Sequence, residues 1–425
     1  MNWSKYNVLF DVEEDKSSHF LYNILSGFFT VIDDDFYLKL IQIKNNIGNI
    51  DILSLDEKNL LIKNKVIVNS DNYEMYKMKI ALLKGRYDMQ TMKLTIAPTC
   101  DCNFKCVYCF EKDRPAIYMT KKVEDAILDF IVKNNPNRIH VCWYGGEPLL
   151  AKESIYRISE KIISLGKEYD ASIVTNGYLL DREFIHKMND LKLKTVQITI
   201  DGDKQTHNKR RPHNNNVDSF DVIMNNIKEL SVSNKDVLLS IRINVDKTNM
   251  YEFVNVYRQI KKINPNIHVY PGFVHDASCK SSVCIDDNVE RIKFYSMLYN
   301  DYNIYIPEMI PNIVLSSCMA RCMNSFLIGP MGEIYKCWHH LGNNNKVVGN
   351  LMDKRILTDI DMFARLMKEN DYIDNKKCMD CKYFPVCGGG CADLKTQNNN
   401  DNCSIFKYAM TSFLNMRYKF LVNKV

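Results

Sequence analysis

Three cysteines on one short loop constrain this chain more than any other feature. The segment Ala97–Phe110 contains Cys102, Cys106 and Cys109 in a C-x3-C-x2-C array. A strand-like apolar run over residues 92–97 leads into this loop. Three thiolates can hold three irons of a 4Fe–4S cube, because such clusters are bound by cysteine sulfur. One iron then keeps an open coordination position, which is where a ligand can bind and react.

This spacing, with Tyr108 just before the last cysteine, resembles the signature of the radical S-adenosylmethionine (SAM) superfamily. The resemblance implies that the open iron binds the amino and carboxylate groups of SAM. It also implies that an electron from the cluster cleaves SAM to a 5′-deoxyadenosyl radical, which takes a hydrogen atom from the substrate. Tyr108 would then pack near the adenine, the alternative being an ordinary core aromatic. The alternatives for the loop are three unrelated cysteines or a zinc site, although structural zinc sites use four ligands.

The composition is typical of a cytoplasmic protein with two or three domains. The chain has 425 residues, of which 46% are hydrophobic. No run approaches the roughly 18 apolar residues of a membrane helix, and the start shows no basic stretch followed by an apolar one. The 56 basic and 51 acidic residues leave a net charge of only +5, which does not indicate nucleic-acid binding. Fifteen cysteines in a reducing compartment favour metal ligands over disulfides.

Strand-like and helix-like segments alternate from about residue 91 to residue 300. Six βα units predict an α/β fold, a parallel sheet curled into a partial (β/α)6 TIM-like barrel, with chemistry at the carboxyl ends of its strands. The cysteine loop follows the first strand, as this arrangement requires. The candidate strands are Leu94–Ala97, Ile139–Trp143, Ile173–Thr175, Val196–Ile200, Leu238–Val245 and His268–Phe273.

A glycine motif follows the second predicted strand. Gly145, Gly146 and Glu147 precede Pro148, and glycines let backbone groups approach a ligand closely. The motif resembles the GGEP motif of the superfamily, which implies that it holds the SAM ammonium group. A plain strand-to-helix turn is the alternative.

Polar residues also end the fourth strand and lie along the fifth. Thr199 stands where the family often has Ser, so the resemblance implies a contact with the SAM ribose or carboxylate. Arg242 and Asn244 occupy alternate positions and therefore face the same side. By resemblance they line the pocket, although an ordinary salt bridge is the alternative for Arg242. The segment His207–Pro212 is interpreted as a structural or substrate-side loop.

A second cysteine constellation occupies the last quarter of the chain. Its spacing resembles the seven-cysteine SPASM signature, and Cys318 adds an eighth thiolate. Eight thiolates suffice for two cubes with four protein ligands each. A zinc ribbon is the alternative, and Cys100, Cys142, Cys279 and Cys284 stay unassigned. By resemblance, the first auxiliary cluster is held by Cys318, Cys322, Cys337 and Cys391, and the second by Cys378, Cys381, Cys387 and Cys403.

The first 90 residues contain no cysteine and differ in character from the rest. Tyr6–Phe10 and Phe28–Ile32 are predicted as strands, followed by three short helices. This order resembles the winged-helix modules that bind leader peptides of ribosomally made precursors, sometimes as an added edge strand. The alternative is a packing extension of the catalytic domain. The predicted domains are thus 1–90 for peptide recognition, 91–300 for the barrel and 301–425 for the SPASM region.

SPASM-type enzymes modify peptides and proteins. Sulfatase maturases of that family carry an Asp after the cysteine that matches Cys337, whereas this chain has Trp338, His339 and His340. They also lack a long cysteine-free front domain. Both departures favour a maturase that installs a crosslink, such as a thioether, in a precursor peptide. The alternatives are oxidation of a Cys or Ser in a sulfatase-type substrate and a non-catalytic iron–sulfur electron carrier.

The resemblance implies three 4Fe–4S clusters and SAM as cofactors. It implies two partners, a precursor peptide with a leader segment and a low-potential electron donor of the flavodoxin or ferredoxin type, with no nucleic acid and no membrane. The catalytic base is unassigned, and His339, His340 and Asp201 are its candidates.

Overall fold

A computed structural model describes residues 1–12, 17–111, 114–274, 283–285, 287–394 and 403–422. The chain divides into two compact units. The barrel unit consists of Asp88–Phe294 and Cys322–Met367. The terminal unit consists of Met1–Tyr87, Tyr295–Arg321 and Lys368–Val425. The three predicted domains, with boundaries near residues 90 and 300, were defined by the order of motifs and not by compactness. They therefore stay a prediction.

The strands of the described residues are numbered in chain order. They are β1 (Asn2–Trp3), β2 (Asn7–Asp11), β3 (Ser18–Asn23), β4 (Phe29–Asp33), β5 (Ile67–Val68), β6 (Thr91–Ile96), β7 (Arg138–Trp143), β8 (Glu168–Thr175), β9 (Leu193–Ile200), β10 (Leu238–Val245), β11 (His268–Phe273), β12 (Ser325–Ile328), β13 (Glu333–Tyr335) and β14 (Gly349–Asn350).

The α-helices of the described residues are numbered in the same way. They are α1 (Asp34–Asn45), α2 (Leu55–Lys63), α3 (Asp71–Arg86), α4 (Lys121–Asn134), α5 (Lys152–Ser164), α6 (Arg182–Lys187), α7 (Lys204–Arg210), α8 (Phe220–Ser233), α9 (Glu252–Ile263), α10 (Asn288–Asn300), α11 (Ile360–Lys368), α12 (Lys376–Met379), α13 (Phe384–Cys387) and α14 (Phe406–Val422).

The barrel unit is built on a sheet whose strands follow the order β11-β10-β9-β8-β7-β6-β12-β13-β14. The strands from β6 to β11 are parallel neighbours in sequence order, so the predicted α/β partial barrel is confirmed. The helices between them bury the apolar positions that the spacing predicted. On α4, for example, Val123, Ile127, Phe130 and Ile131 are all buried. This burial fixes each helix against the sheet and brings the carboxyl ends of the strands to one edge.

The sequence did not predict that the sheet continues beyond the first barrel strand. β12 pairs in parallel with β6, and Ile328 lies opposite Ile96. The antiparallel strands β13 and β14 extend the sheet further. These three strands are only two to four residues long and lie among the cysteines of the second constellation. Segments that short give little periodicity, so they do not predict strands by themselves.

The terminal unit contains a small antiparallel sheet in the order β2-β3-β4. The predicted strands Tyr6–Phe10 and Phe28–Ile32 correspond to β2 and β4, each shifted by one residue. β2 and β4 do not pair with each other, because β3 lies between them and was not predicted. Five of its six residues are buried, so it lacks the polar alternation of a half-exposed strand.

The three helices predicted after this sheet are present as α1, α2 and α3. The Asp33 side chain caps α1 by accepting a hydrogen bond from the Phe36 amide at 2.8 Å. Met78 and Leu82 on α3 pack in one apolar cluster with Tyr372 and Phe384 from the cysteine-rich segment. Helix α3 therefore shares an apolar core with that segment. Among the described residues, no helix is both long and apolar enough to cross a bilayer.

Candidate active site

The cysteine loop lines a cavity of about 370 Å³ at the carboxyl ends of the barrel strands. The loop directly follows β6, as the sequence predicted, and its three thiols open into this cavity from one side. The predicted site residues that line the cavity are Cys102, Cys106, Tyr108, Cys109, Gly145, Gly146, Thr199 and Arg242.

The sulfur atoms of this loop lie in surroundings suited to an iron–sulfur cluster. The amide of Phe104 donates to Cys102 Sγ, and the amide of Glu111 donates to Cys109 Sγ, both at 3.4 Å. Burial raises the pKa of Cys102 to about 12 and that of Cys106 to about 11, and it also raises the pKa of Cys109. Without a metal these thiols keep their protons, and a bound cation would replace those protons.

Tyr108 anchors the loop to the barrel through its hydroxyl. The hydroxyl donates to Asp201 Oδ1 at 2.7 Å and accepts from Arg211 Nη1 at 2.8 Å and from Asn244 Nδ2 at 2.9 Å. All its hydrogen-bonding capacity is thus used, by Asp201 directly after β9, Asn244 on β10 and Arg211 directly after α7. The ring of Tyr108 lines the cavity, so a role near the adenine stays a prediction alongside this anchoring.

Asp201, one of the candidate bases, is committed to ion pairs. Its carboxylate is fully buried, 3.1 Å from Arg210 Nε and 3.6 Å from Arg211 Nη1. Arg210 also pairs with Asp246 at 2.6 Å. Burial, and then the charge of Arg211, lowers the pKa of the adjacent His207 well below its usual value. His207–Arg210 lie in helix α7 and not in a loop, so that part of the interpretation is wrong. The ion pairs support a structural role for the segment, and a substrate-side role stays a prediction.

The two glycines of the GGEP motif allow it to lie against the cysteine loop. A Cβ on Gly145 would come within 2.4 Å of the Thr99 carbonyl oxygen, and one on Gly146 within 2.1 Å of the Asp101 carbonyl oxygen. Gly145 also has a φ of +118°, which L side chains rarely adopt. Only glycine therefore fits at either position while the cavity keeps this wall.

Glu147 lies behind that wall and is not among the residues that line the cavity. Its buried carboxylate accepts hydrogen bonds from the amide of Leu149 at 3.0 Å, from Thr175 Oγ1 at 2.7 Å and from the amide of Asn176 at 2.7 Å. Burial raises the pKa of Glu147, and these three hydrogen bonds act in the opposite direction. In this structure the side chain joins the ends of β7 and β8, and a SAM contact by Glu147 stays a prediction.

Thr199 and Arg242 are register partners on β9 and β10. Arg242 and Asn244 both line the cavity, as their alternate positions predicted. The Arg242 Nε donates to Asn244 Oδ1 at 2.9 Å, and no carboxylate of a described residue pairs with its guanidinium. The ordinary salt bridge considered for Arg242 is therefore not found among the described residues. Its remaining donors can bind an anionic group in the cavity.

One wall of the cavity was not predicted from the sequence. Trp338 packs against Tyr144 with ring centroids 4.5 Å apart, and its Nε1 donates to Thr95 Oγ1 at 3.1 Å. Tyr144 in turn donates to a carboxylate oxygen of Glu111 at 3.0 Å. His339 stacks on Phe110 with a centroid distance of 4.7 Å. The sequence did indicate that this segment is unusual, because Trp338 follows Cys337 where the sulfatase maturases carry Asp. It did not predict that Trp338 contacts Tyr144 or that His339 contacts Phe110.

The three candidate bases are thereby separated by position. His339 lines the cavity, whereas Asp201 and His340 are buried and do not. Glu111, which sequence analysis did not single out, also lines the cavity and pairs with Arg114 at 2.7 Å. His339 is thus the only one of the three proposed bases that faces the cavity.

A second cavity, of about 100 Å³, lies in the terminal unit. The residues that line it include all four predicted ligands of the second auxiliary cluster. Ser404 donates its backbone amide to Cys387 Sγ at 3.5 Å, and Lys407 Nζ donates to Cys403 Sγ at 3.4 Å. The cysteines of this cavity are Cys378, Cys381, Cys387 and Cys403.

The backbone around this cavity depends on a close glycine contact and a buried ion pair. A Cβ on Gly389, which has a φ of +78°, would lie 1.9 Å from the Tyr372 ring. The guanidinium of Arg86 lies 4.8 Å from the centroid of the same ring and pairs with Asp371 at 2.7 Å. A helix from the N-terminal region therefore supports the turn between Cys387 and Cys391.

The remaining predicted ligands are divided between the units. Cys318 and Cys391 belong to the terminal unit, and Cys322 and Cys337 to the barrel unit. Within the barrel unit, buried Lys336 donates to the carbonyl oxygens of Cys322 and Ser325. This set of four stays a prediction. Of the unassigned cysteines, Cys100, Cys142 and Cys284 are buried, and Cys279 lies outside the described residues.

The family model of the radical SAM superfamily matches residues 96–260. This span contains the cysteine loop, the GGEP motif, Thr199 and Arg242, which are the elements that form the larger cavity. The chain is therefore an enzyme with a radical SAM domain. Such enzymes use a 4Fe–4S cluster and SAM, and the cavity has the residues to hold both.

Individual relatives belong to the peptide- and protein-modifying branch of the superfamily. The chain is 27% identical over 374 residues to the cysteine-type anaerobic sulfatase-maturating enzyme of Clostridium novyi, covering 76% of this chain and 95% of that protein. The structure of native anSMEcpe with bound AdoMet matches with a TM-score of 0.61 at 20% identity, over 78% of this chain and 98% of that one. The structure of Streptococcus suis SuiB bound to precursor peptide SuiA matches with a TM-score of 0.54 at 17% identity. This match covers 95% of this chain and 99% of SuiB.

Proposed function

We propose that the protein is a radical SAM maturase that removes a hydrogen atom from a ribosomally made precursor peptide and installs a crosslink such as a thioether. The observation that carries this proposal is the extent of the fold shared with peptide-bound SuiB, 95% of this chain. A match of that extent takes in most of the 87 residues before the barrel, which contain the β2-β3-β4 sheet. Both the sulfatase-maturating enzymes and SuiB support a peptide or protein as the substrate class.

The barrel cavity is the proposed reaction site. Cys102, Cys106 and Cys109 would hold a 4Fe–4S cluster, and the bound cluster and SAM together would supply the 5′-deoxyadenosyl radical. The fit rests on the three thiols that line the cavity and on the amide donors to Cys102 and Cys109. Arg242 and Thr199 line the same cavity and would bind the polar groups of SAM. The glycines leave their backbone open to the same ligand.

The wall formed by Trp338 and His339 is the proposed substrate side of the cavity. The rings of Trp338 and Tyr144 exclude water from one flank, which protects a radical from side reactions. His339 lines the cavity and would accept a proton from an oxidised peptide. The residue directly after Cys337 is Trp338, whereas the sulfatase maturases carry an Asp at that position.

The small terminal sheet is the proposed site for the leader segment. β3 has partners on both sides, whereas β2 and β4 form the two edges. An edge strand presents unpaired backbone donors and acceptors, to which an extended peptide can add as a further strand. A leader bound there would hold the core of the precursor near the enzyme.

The proposal is tested by anaerobic reconstitution with iron and sulfide, followed by SAM, dithionite and a synthetic peptide. The peptide is taken from open reading frames next to the gene and carries a leader and a cysteine-containing core. We expect formation of 5′-deoxyadenosine and a product that has lost two hydrogens and no longer reacts with a thiol alkylating reagent. A leaderless version of the same peptide is the control, and equal turnover of both would contradict leader binding.

Oxidation of a sulfatase is the second candidate function, and the likeness to the Clostridium novyi enzyme favours it. A peptide copied from a sulfatase active site, with Cys or Ser at the modified position, serves as the competing substrate. Conversion of that residue to formylglycine, with no reaction of the precursor peptide, would establish this alternative and overturn the crosslinking proposal.

A further inference from the structure

One sulfur atom of the four-cysteine cavity receives a hydrogen bond from a charged side chain. Lys407 Nζ donates to Cys403 Sγ at 3.4 Å. Lys407 lies four residues after Cys403, in the first turn of α14. The intervening residue Ser404 donates its amide to Cys387 Sγ. A single short segment thus supplies one ligand and two hydrogen bonds to the proposed cluster.

The radical SAM loop differs in this respect. The donors to Cys102 and Cys109 are backbone amides, which carry no net charge. In the described part of the barrel unit, no lysine or arginine donates a hydrogen bond to any of the three loop sulfurs. The ammonium group at Cys403 is therefore a feature of the terminal site.

A positive charge at a ligand sulfur has a defined effect on an iron–sulfur cluster. The reduction potential of such a cluster depends on its net charge, on hydrogen bonds to its sulfur atoms and on solvent exposure. Charge-assisted hydrogen bonds are roughly twice as strong as neutral ones. Reduction adds a negative charge to the cluster, so a nearby ammonium group stabilises the reduced form more than the oxidised form.

We infer that Lys407 raises the reduction potential of the cluster held by Cys378, Cys381, Cys387 and Cys403. The inference rests on the proposed assignment of these cysteines as cluster ligands. Lys407 acts as a tuning residue and not as a catalytic one. With Lys407 present, a cluster held by these four cysteines would be reduced at a higher potential than the same ligands would give alone.

A matched control lies in the same cavity. Lys377 also lines it and is exposed, but no hydrogen bond joins its ammonium group to a described residue. Lys377→Gln therefore removes one positive charge from the cavity mouth without removing a bond to sulfur. Lys407→Met removes both the charge and the bond, and Lys407→Arg keeps both.

The experiment is an anaerobic redox titration of the reconstituted full chain, followed by electron paramagnetic resonance, with iron counted for each variant. Lys407→Met should lower the reduced-to-oxidised ratio of one cluster at least tenfold at a fixed applied potential, which is 59 mV for a one-electron couple. Lys377→Gln and Lys407→Arg should change that ratio less than twofold.

Two results would overturn the inference. The first is an unchanged potential in Lys407→Met with full iron content, and the second is an equal shift in Lys377→Gln, which would indicate a general charge effect. If Lys407→Met loses iron, Lys407→Gln is titrated instead, because its amide keeps a donor without the charge. An iron content in the Cys378→Ala/Cys381→Ala variant equal to that of wild type would refute the cluster assignment itself. The iron count thus distinguishes that outcome from a failure of Lys407 alone.

Discussion

The two cysteine sites use the same ligand atom in different frameworks. The loop in the barrel unit supplies three thiols, and buried side chains on strand ends fix it through the hydroxyl of Tyr108. The cavity in the terminal unit supplies four thiols from short helices and turns, with lysines at its mouth. Three ligands leave a cluster open to a substrate-like ligand, whereas four close it. The number of thiols and the surrounding fold, and not the cysteine side chain alone, would therefore separate a cluster that binds SAM from one that is fully ligated by protein.

The largest expected effect is on the iron content and SAM binding of variants that lack the cysteines of one site or the other. Replacing Cys102, Cys106 and Cys109 with Ala should abolish SAM cleavage and remove about four irons per chain, because a 4Fe–4S cluster needs its thiolates. Replacing Cys378 and Cys381 with Ala should also remove about four irons but leave SAM binding in place. Iron analysis and equilibrium dialysis with SAM measure both outcomes. Loss of SAM binding in both variants would show that the sites are not separate.

The next effect tests the framework of the terminal site. Arg86 and Asp371 are 2% and 1% exposed, and their ion pair is 2.7 Å long. Arg86→Met leaves a buried carboxylate without its main partner and should cost about 3–5 kcal/mol of stability. Denaturant unfolding, monitored together with iron content, measures this cost.

Lys368→Met is the matched control for that experiment. Lys368 also approaches Asp371, at 3.3 Å, but its side chain is 48% exposed. Surface ion pairs contribute about 0–1 kcal/mol, so the control should stay within that range. Equal destabilisation by both substitutions would mean that burial of the Arg86 pair does not support the site.

A smaller effect tests the anchor of the radical SAM loop. Tyr108→Phe removes a hydroxyl with three partners and should cost about 1–3 kcal/mol, because Asp201, Arg211 and Asn244 each lose a hydrogen bond. Tyr118→Phe is the control, since its hydroxyl also bonds a carboxylate, that of Asp101, at 2.7 Å, but the residue is 44% exposed. Thermal unfolding should place the control within about 0.5 kcal/mol of wild type.

The smallest effect is a pH dependence in the terminal sheet. Burial lowers the pKa of His19, but hydrogen bonds to Asp34 and Asp11 outweigh it, so the pKa is raised. The folded state then binds the proton more tightly than the unfolded state does. The stabilisation is complete below about pH 6.5, the usual histidine pKa, and is lost as the pH rises through the higher folded value. Unfolding at several pH values should show this decline in wild type and its absence in His19→Gln.

The barrel was predictable because its strands and helices carry strong local periodicity. The apolar spacing on α4 and the position of the cysteine loop after β6 could both be derived from sequence. β3 was not predicted because it is buried on both faces and so lacks polar alternation. β12 was not predicted because four residues are too few to show a periodic pattern. Within the site, the cysteines and glycines were predictable from spacing. The contacts of Trp338 and Lys407 were not, since they join segments that only the folded chain brings together.

The pairing of β6 with β12 also sets an order of events during synthesis. β6 leads directly into the cysteine loop, yet its neighbour on one side is encoded roughly 230 residues later. Until Ile328 has left the ribosome, the backbone groups along that side of β6 form an open edge, which is prone to pair with other chains. Long-range pairing of this kind also slows folding. A nascent chain therefore carries this open edge next to its cysteine loop until the SPASM-like region has been synthesised.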